Sequence, residues 1–163
     1  MKNNILKLCL ALVIVMIMVT PLYATHISTC TETYTHFGSG IYELILDWMS
    51  SSSSTFTTYT TTTTVKGEVL QAVTYTDSAG DGAKTLDNYD ITVTAADGTN
   101  LFGSALSNRD SLNTEIALPQ HITPSTMDTT NFQPIIDGKL TIAIANIGAD
   151  STTGRIVIFW RAK

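Results

Sequence analysis

The segment YDITVTA at residues 89–95 alternates without a break, with Tyr89, Ile91, Val93 and Ala95 on one side and Asp90, Thr92 and Thr94 on the other. A period of two puts successive side chains on opposite faces of an extended chain, so this segment is a strand with one face covered. Downstream of the first 24 residues no stretch carries the apolar period of an amphipathic helix. Short runs rich in β-branched and aromatic residues recur instead between turn signals, which confines the chain to an all-β fold.

The other runs fit the same frame. Residues 41–48 (IYELILDW) alternate in part, with Ile41, Ile45 and either Leu44 or Leu46 competing for the inner face. Residues 65–76 (VKGEVLQAVTYT) place Val65, Val69 and Val73 on one face, and Gly67 marks a bulge or a close backbone approach. Asp97-Gly98 is a hairpin turn with residues 99–102 as its return strand. Residues 140–145 (LTIAIA) and 156–160 (IVIFW) form a last hairpin joined through 146–154, and 77–87 is a polar loop. The Thr-rich run at 55–64 has the composition of a flexible spacer. Threonine is nevertheless β-branched, Phe56 and Tyr59 supply apolar contacts, and the serines at 50–54 supply a turn after Trp48. The run is therefore expected to be a hairpin partner of 41–48. Seven or eight short strands at this spacing predict a single antiparallel β-sandwich or jelly-roll domain over 41–163, with the last hairpin central.

Ahead of it, a short basic stretch precedes the apolar run at 8–19, which ends at Thr20, Pro21 and the small residue Ala24. This is the pattern of a secretory leader over residues 1–24, cleaved after Ala24 or retained as an anchor helix. Residues 25–40 are expected to be a loose N-terminal segment. Export, to the cell surface, the medium or a virion, is the predicted localisation, and contact with a membrane is expected only through the leader. Of the two cysteines, Cys9 lies in the apolar run, so only Cys30 would remain, excluding an internal disulfide. Cys30 is then a partly buried thiol, an intermolecular pair, or a lipidation site that poorly matches a lipoprotein box.

Nine Lys and Arg face fourteen Asp and Glu, and Lys2 and Lys7 lie in the leader. Such a chain lacks the clustered cations that neutralise phosphates, so no nucleic-acid partner is expected. Charged residues make up 14% of the chain, well under the roughly 25% of typical globular proteins, which points to a hydroxyl-rich solvent face.

The chemistry-bearing residues form no constellation. Asp77, Asp81 and Asp87 with Gly80 and Gly82 have turn composition without EF-hand spacing. His26, His36 and His121 are too scattered for zinc. No G-x-S-x-G elbow activates a serine, and nothing orders Asp90, Asp97 and Glu115 into a carboxylate pair. No catalytic residue, metal site or cofactor is predicted, and the chain is not expected to be an enzyme. Trp48, Tyr42, Phe56 and Tyr59 are either core filling or an aromatic platform for a sugar.

From Tyr42 onward the chain resembles a family of small bacteriophage structural proteins encoded among virion genes. The resemblance rests on Asp47-Trp48 before a Ser-rich turn, Val65-Lys66-Gly67-Glu68-Val69, and Asn88 through Thr94. It continues through Ala96-Asp97-Gly98, Asn108-Arg109-Asp110, Gly138-Lys139-Leu140-Thr141, and Asn146 with Gly148 before Gly154. It implies a multimeric, non-enzymatic virion component, decoration-like, with a β-sandwich fold and no catalytic residues. The leader departs from that family, whose members usually assemble in the cytoplasm. The departure leaves a secreted cellular relative, a virus whose coat protein crosses a membrane, or a stretch that is not a leader.

Two functions follow as expectations: a structural or decoration protein assembling as a homo-oligomer on a virion or cell-surface structure, or a secreted module binding carbohydrate or another surface ligand. For the first, the expected contact is the irregular stretch 101–119, through Leu101, Phe102, Leu106, Leu112 and Ile116, with Arg109 pairing a carboxylate of a neighbouring chain. The intramolecular alternative is that this stretch folds back and caps its own domain.

Overall fold

The computed structural model describes residues 27–75, 83–85, 87–120, 134–148 and 151–163. The expected leader, His26, His121, Asp77 and Asp81 lie outside them. The described residues form ten strands and no helix: β1 (Thr29–Gly38), β2 (Ile41–Met49), β3 (Tyr59–Thr60), β4 (Val65–Tyr75), β5 (Ala83–Lys84), β6 (Asp90–Thr94), β7 (Glu115–Ala117), β8 (Ile135–Gly138), β9 (Thr141–Ala145) and β10 (Thr152–Arg161). They build two sheets. The larger runs β1-β2-β10-β4-β7, with β8 also on β4 and β5 on β10, and the smaller runs β3-β9-β6. All pairings are antiparallel except the short β5–β10 pair.

One core joins the two sheets. Leu44, Leu46 and Trp48 of β2, Val65 and Val69 of β4, and Ile156, Ile158 and Trp160 of β10 pack with Ile91 and Val93 of β6 and Ile142 and Ile144 of β9. On β2 the leucines at 44 and 46 take the inner face and Ile45 the outer. The alternation at 89–95 holds, with Tyr89, Ile91 and Val93 buried. Gly67 is the close approach expected of it: at φ +139° its missing Cβ would lie 2.0 Å from the Arg161 carbonyl oxygen. Gly154 likewise makes room for the Trp48 indole, where a Cβ would lie 2.6 Å from Cζ2.

Four expectations are corrected. Residues 29–38 are not loose but form β1, paired with β2 from Thr29↔Met49 to Gly38↔Ile41. The Thr-rich run does not pair with β2, whose neighbours are β1 and β10. Only Tyr59–Thr60 is strand, on β9, and next to it the Thr61 hydroxyl accepts the Leu140 N–H and donates to the Thr63 carbonyl. The serines do form a turn, closed by Ser54 N–H to the Ser51 carbonyl, and Ser50 and Thr152 share a buried hydroxyl contact at 3.0 Å. Residues 140–145 and 156–160 are not a hairpin, because β9 and β10 belong to different sheets and the chain crosses between layers. Finally, the β4–β10 register skips Leu70, pairing Phe159 with Gln71 and Trp160 with Val69. That bulge sends Val65 and Val69 to the core and Val73 to the opposite face.

Candidate functional site

The stretch 101–119 folds back on its own domain. Asp97 accepts the Thr99 N–H in the expected turn, but the return is a single bridge, Thr94↔Asn100, rather than a strand. Asn100 Oδ1 then accepts the N–H groups of Phe102 and Gly103, bending the chain inward. The Leu101 N–H reaches the Val93 carbonyl, and the Ile91 N–H reaches the Leu106 carbonyl. Leu101, Phe102 and Leu106 are at most 1% exposed and belong to the core. This corrects their expected place at a subunit contact, since their own chain covers them. Leu112, Ile116 and Leu118 remain exposed.

Arg109 is also engaged within the chain. Its backbone pairs with Tyr89, its side chain is only 11% exposed, and its Nε lies 3.6 Å from Glu115 Oε2. The same carboxylate oxygen accepts the Asp110 N–H at 2.7 Å. The carboxylate facing Arg109 is therefore intramolecular, where a neighbouring chain's was expected. Burial pushes the Tyr89 hydroxyl up to about 12, opposed by the Arg109 charge.

Alternation on the larger sheet defines a second face, away from the core. Directly opposed residues of neighbouring strands project to the same side. Following the register outward gives one row across five strands: Thr33, Ile45, Val157, Val73 and Ile116. Val157 and Val73 are buried yet stand outside the core cluster, while Ile116 is 65% exposed. One flanking row carries Phe159 between Glu43 and Gln71, and the other carries Asp47, Arg155 and Tyr75. Arg155 binds Asp47 through Nε at 2.6 Å and Nη2 at 3.0 Å, and this hydrogen bond above all raises the guanidinium above its ordinary range. At the far end Glu68 faces Arg161 at 3.9 Å and Lys163 at 3.7 Å, and Lys66 meets Asp137 at 2.9 Å. The outer face thus has an apolar centre framed by ion pairs.

No family model, curated protein or solved structure matches this chain.

A second feature lies on the inner face, beyond the cover of the smaller sheet. His36, Tyr42 and Trp160 are successive cross-strand partners. Their rings stack at 4.4 Å for His36 with Tyr42 and 5.5 Å for Tyr42 with Trp160, and Tyr34 lies 5.7 Å from Tyr42. Tyr34, Tyr42, Trp160, Thr64, Lys66 and Lys163 line a cleft of about 190 Å³. The aromatic platform read from the sequence is divided: Trp48 is buried against Phe56 in an edge contact, and Tyr42 belongs to the other cluster. A smaller hollow of about 140 Å³ lies beside Cys30, Phe56 and Tyr59. Burial pushes the Cys30 thiol up to about 12, with Glu32 and Asp47 adding to it, so the thiolate nucleophile is suppressed.

Among the described residues no group of three or more His, Cys, Asp or Glu could hold a metal ion. Asp87, from the suspected calcium turn, instead accepts the N–H and hydroxyl of Ser111, which hold its carboxyl below the usual range. Of the residues singled out for contact, Ile116 alone falls on the apolar row. Sequence reasoning missed Ile45, Val73, Val157 and Phe159. Their signal was present in IYELILDW and IVIFW, which are apolar at both parities, as strands covered on both faces are.

Proposed function

We propose that this chain is a non-enzymatic structural protein, a single antiparallel β-sandwich that is exported and assembles with copies of itself on a virion or cell-surface structure. The observation that carries this reading is the row Ile45–Val157–Val73–Ile116 on the outer face of the larger sheet. An antiparallel sheet with one solvated face normally alternates apolar inside and polar outside. Here β2, β10, β4 and β7 break that rule together, at one level of the sheet: Val157 and Val73 are buried, Ile45 is half-buried, and the row opens to solvent at Ile116. Four strands of nine to eleven residues, with the three-residue β7 at one edge, span roughly 20 Å by 30 Å. The face thus offers on the order of 600 Å² per partner, the low end for a specific interface. The resemblance to virion structural proteins supports the same class of function.

Sedimentation equilibrium tests the proposal. The wild-type chain is expected to exceed its 17.6 kDa monomer mass at tens of micromolar. Ile116→Asp, at an exposed position, is expected to form a smaller assembly than the wild type, with an unchanged melting temperature. A wild-type protein that remains monomeric, or an Ile116→Asp protein that assembles equally well, overturns it.

The aromatic cleft favours a second reading, a carbohydrate-binding module. At about 190 Å³ it is smaller than the roughly 300 to 1,000 Å³ of drug-sized sites, and its size suits one sugar ring against Tyr34 and Tyr42. Binding of simple glycans that is lost in Tyr34→Ala, without change in sedimentation, would favour this reading over assembly.

A further inference from the structure

The two edges of the larger sheet are built differently. On one side β7 and β8 share the flank of β4 as pieces of three and four residues, with Pro119 and Pro134 beside them. Short strands and prolines are what keep an edge from pairing with another sheet. On the other side β1 runs ten residues, Thr29–Gly38, with no proline and no lysine. Its bulge falls only at Phe37, between the pairs His36↔Tyr42 and Gly38↔Ile41. Among the described residues no strand pairs with its outer edge. A long, regular edge of this kind is a template for strand addition.

The side chains of β1 specify what it can pair with. Cys30, Glu32, Tyr34 and His36 share the inner face, opposite Trp48, Leu46, Leu44 and Tyr42 of β2, and Thr29, Thr31, Thr33 and Thr35 share the outer face. Glu32 is fixed in place: its carboxylate accepts the Thr62 N–H at 2.7 Å, the Thr63 N–H at 3.3 Å and the Thr62 hydroxyl. His36 is held against Tyr42 by the ring stack. The pattern Glu-x-Tyr-x-His reads as its own complement when reversed. An antiparallel copy centred on Tyr34 sets Glu32 opposite His36 twice, and Thr33 opposite Thr35 twice. A copy centred on Thr33 sets Glu32 against Tyr34 and loses the pairing of carboxylate with imidazole.

We infer that β1 pairs antiparallel with β1 of a second copy about a two-fold axis at Tyr34, joining two seven-stranded sheets into one continuous sheet. This rests on the reading of the chain as a self-assembling structural protein, but uses a different surface. The outer face and the β1 edge each make a contact of the same patch with itself. Two such contacts on one chain, about separate axes, extend an assembly instead of closing it at a dimer.

Cysteine cross-linking of the full chain tests the register. Residues opposed across an antiparallel pair have Cα atoms about 4.5 to 5.5 Å apart, within the span of a disulfide. In a Cys9→Ser, Cys30→Ser background, Tyr34→Cys is expected to oxidise almost completely to a covalent dimer. Thr29→Cys is expected not to, since its mate would lie about 30 Å away. Equal cross-linking at both positions, none at Tyr34→Cys, or a Cys30 to Cys30 dimer in the wild type overturns the inference.

Adding Ile116→Asp separates the two proposals. Cross-linking at Tyr34→Cys that survives Ile116→Asp supports an independent edge contact, whereas its loss there makes the edge secondary to the face and overturns the inference as stated. Assembly of the wild type without cross-linking at Tyr34→Cys sinks the edge and spares the face. Hydrogen exchange of the wild type gives a second readout. The amides of residues 31–36 facing the open edge are expected to slow about tenfold or more between roughly 1 and 100 micromolar. Exchange there that is independent of concentration counts against the pairing.

Discussion

The inner and outer faces of the larger sheet are made by the same strands, yet they are stabilised in different ways. On β10, Ile156, Ile158 and Trp160 point into the shared core, while Val157 and Phe159, one position away, point outward. The inner face is completed by the smaller sheet and by the fold-back of Leu101, Phe102 and Leu106. The outer row belongs to no core cluster and ends in the exposed Ile116. Burial between the sheets serves folding, while the outer row places further apolar side chains at the same level outside that core. Both sets are apolar, and the difference lies in which of them join the core between the sheets.

The sharpest way to break this arrangement is at the joint that both faces share. Gly67→Ala forces a Cβ into the Arg161 carbonyl at a positive φ. It is expected to cost roughly 3 kcal/mol or more, from overpacking and backbone strain together, read by chemical denaturation. Next comes a paired test of the faces themselves. Ile158→Ala should cost about 2 to 5 kcal/mol whatever the protein concentration. Ile45→Thr, on the outer row, should cost the isolated chain about 1 kcal/mol or less and weaken self-association instead. Equal losses of monomer stability would erase the distinction.

The same contrast runs through the stretch 101–119. Phe102→Ala is expected to lose about 3 to 5 kcal/mol, and Leu112→Ala to stay within about 0.5 kcal/mol, in thermal melts of the two variants. The smallest effect is a pH dependence near this stretch. Asp87 is held low by Ser111, and Asp110 by the Asn113 side chain and the Leu112 N–H. A carboxyl lowered in the folded state binds its proton more tightly when unfolded. Its contribution is present above the ordinary carboxylate value and is lost as pH falls through that value and the depressed one. The protection of the Ser111, Leu112 and Asn113 amides, taken relative to their intrinsic exchange rates at each pH, should therefore fall in acid, with the inner core unaffected.

Where one face of a strand is apolar, the sequence was legible: residues 89–95 and the close approach at Gly67 needed only local pattern. β1 was not, because TCTETYTHFG has no apolar side and its regularity comes from pairing with β2. The Thr-rich run was misassigned because its pairing depends on Thr61 capturing the backbone of Leu140, 79 positions away. The crossing from β9 to β10 was hidden by the habit of neighbouring strands to pair, which here is overridden by their membership in separate layers. For the outer apolar row, the apolar positions at both parities were visible. Which of them had cover depended on the bulge at Leu70 and on the fold-back at Asn100, both tertiary events.

The strand at the middle of the larger sheet is the last in sequence order. β10 lies between β2 and β4, and the Ser50–Thr152 contact spans 102 positions. A chain made from its amino end can form the β1–β2 hairpin early, but β2 and β4 have no common neighbour until residues 152–161 arrive. Such long closures make folding slow and late. Until β10 seats between β2 and β4, the larger sheet is two separate pieces, and its last step is the joining of halves already made.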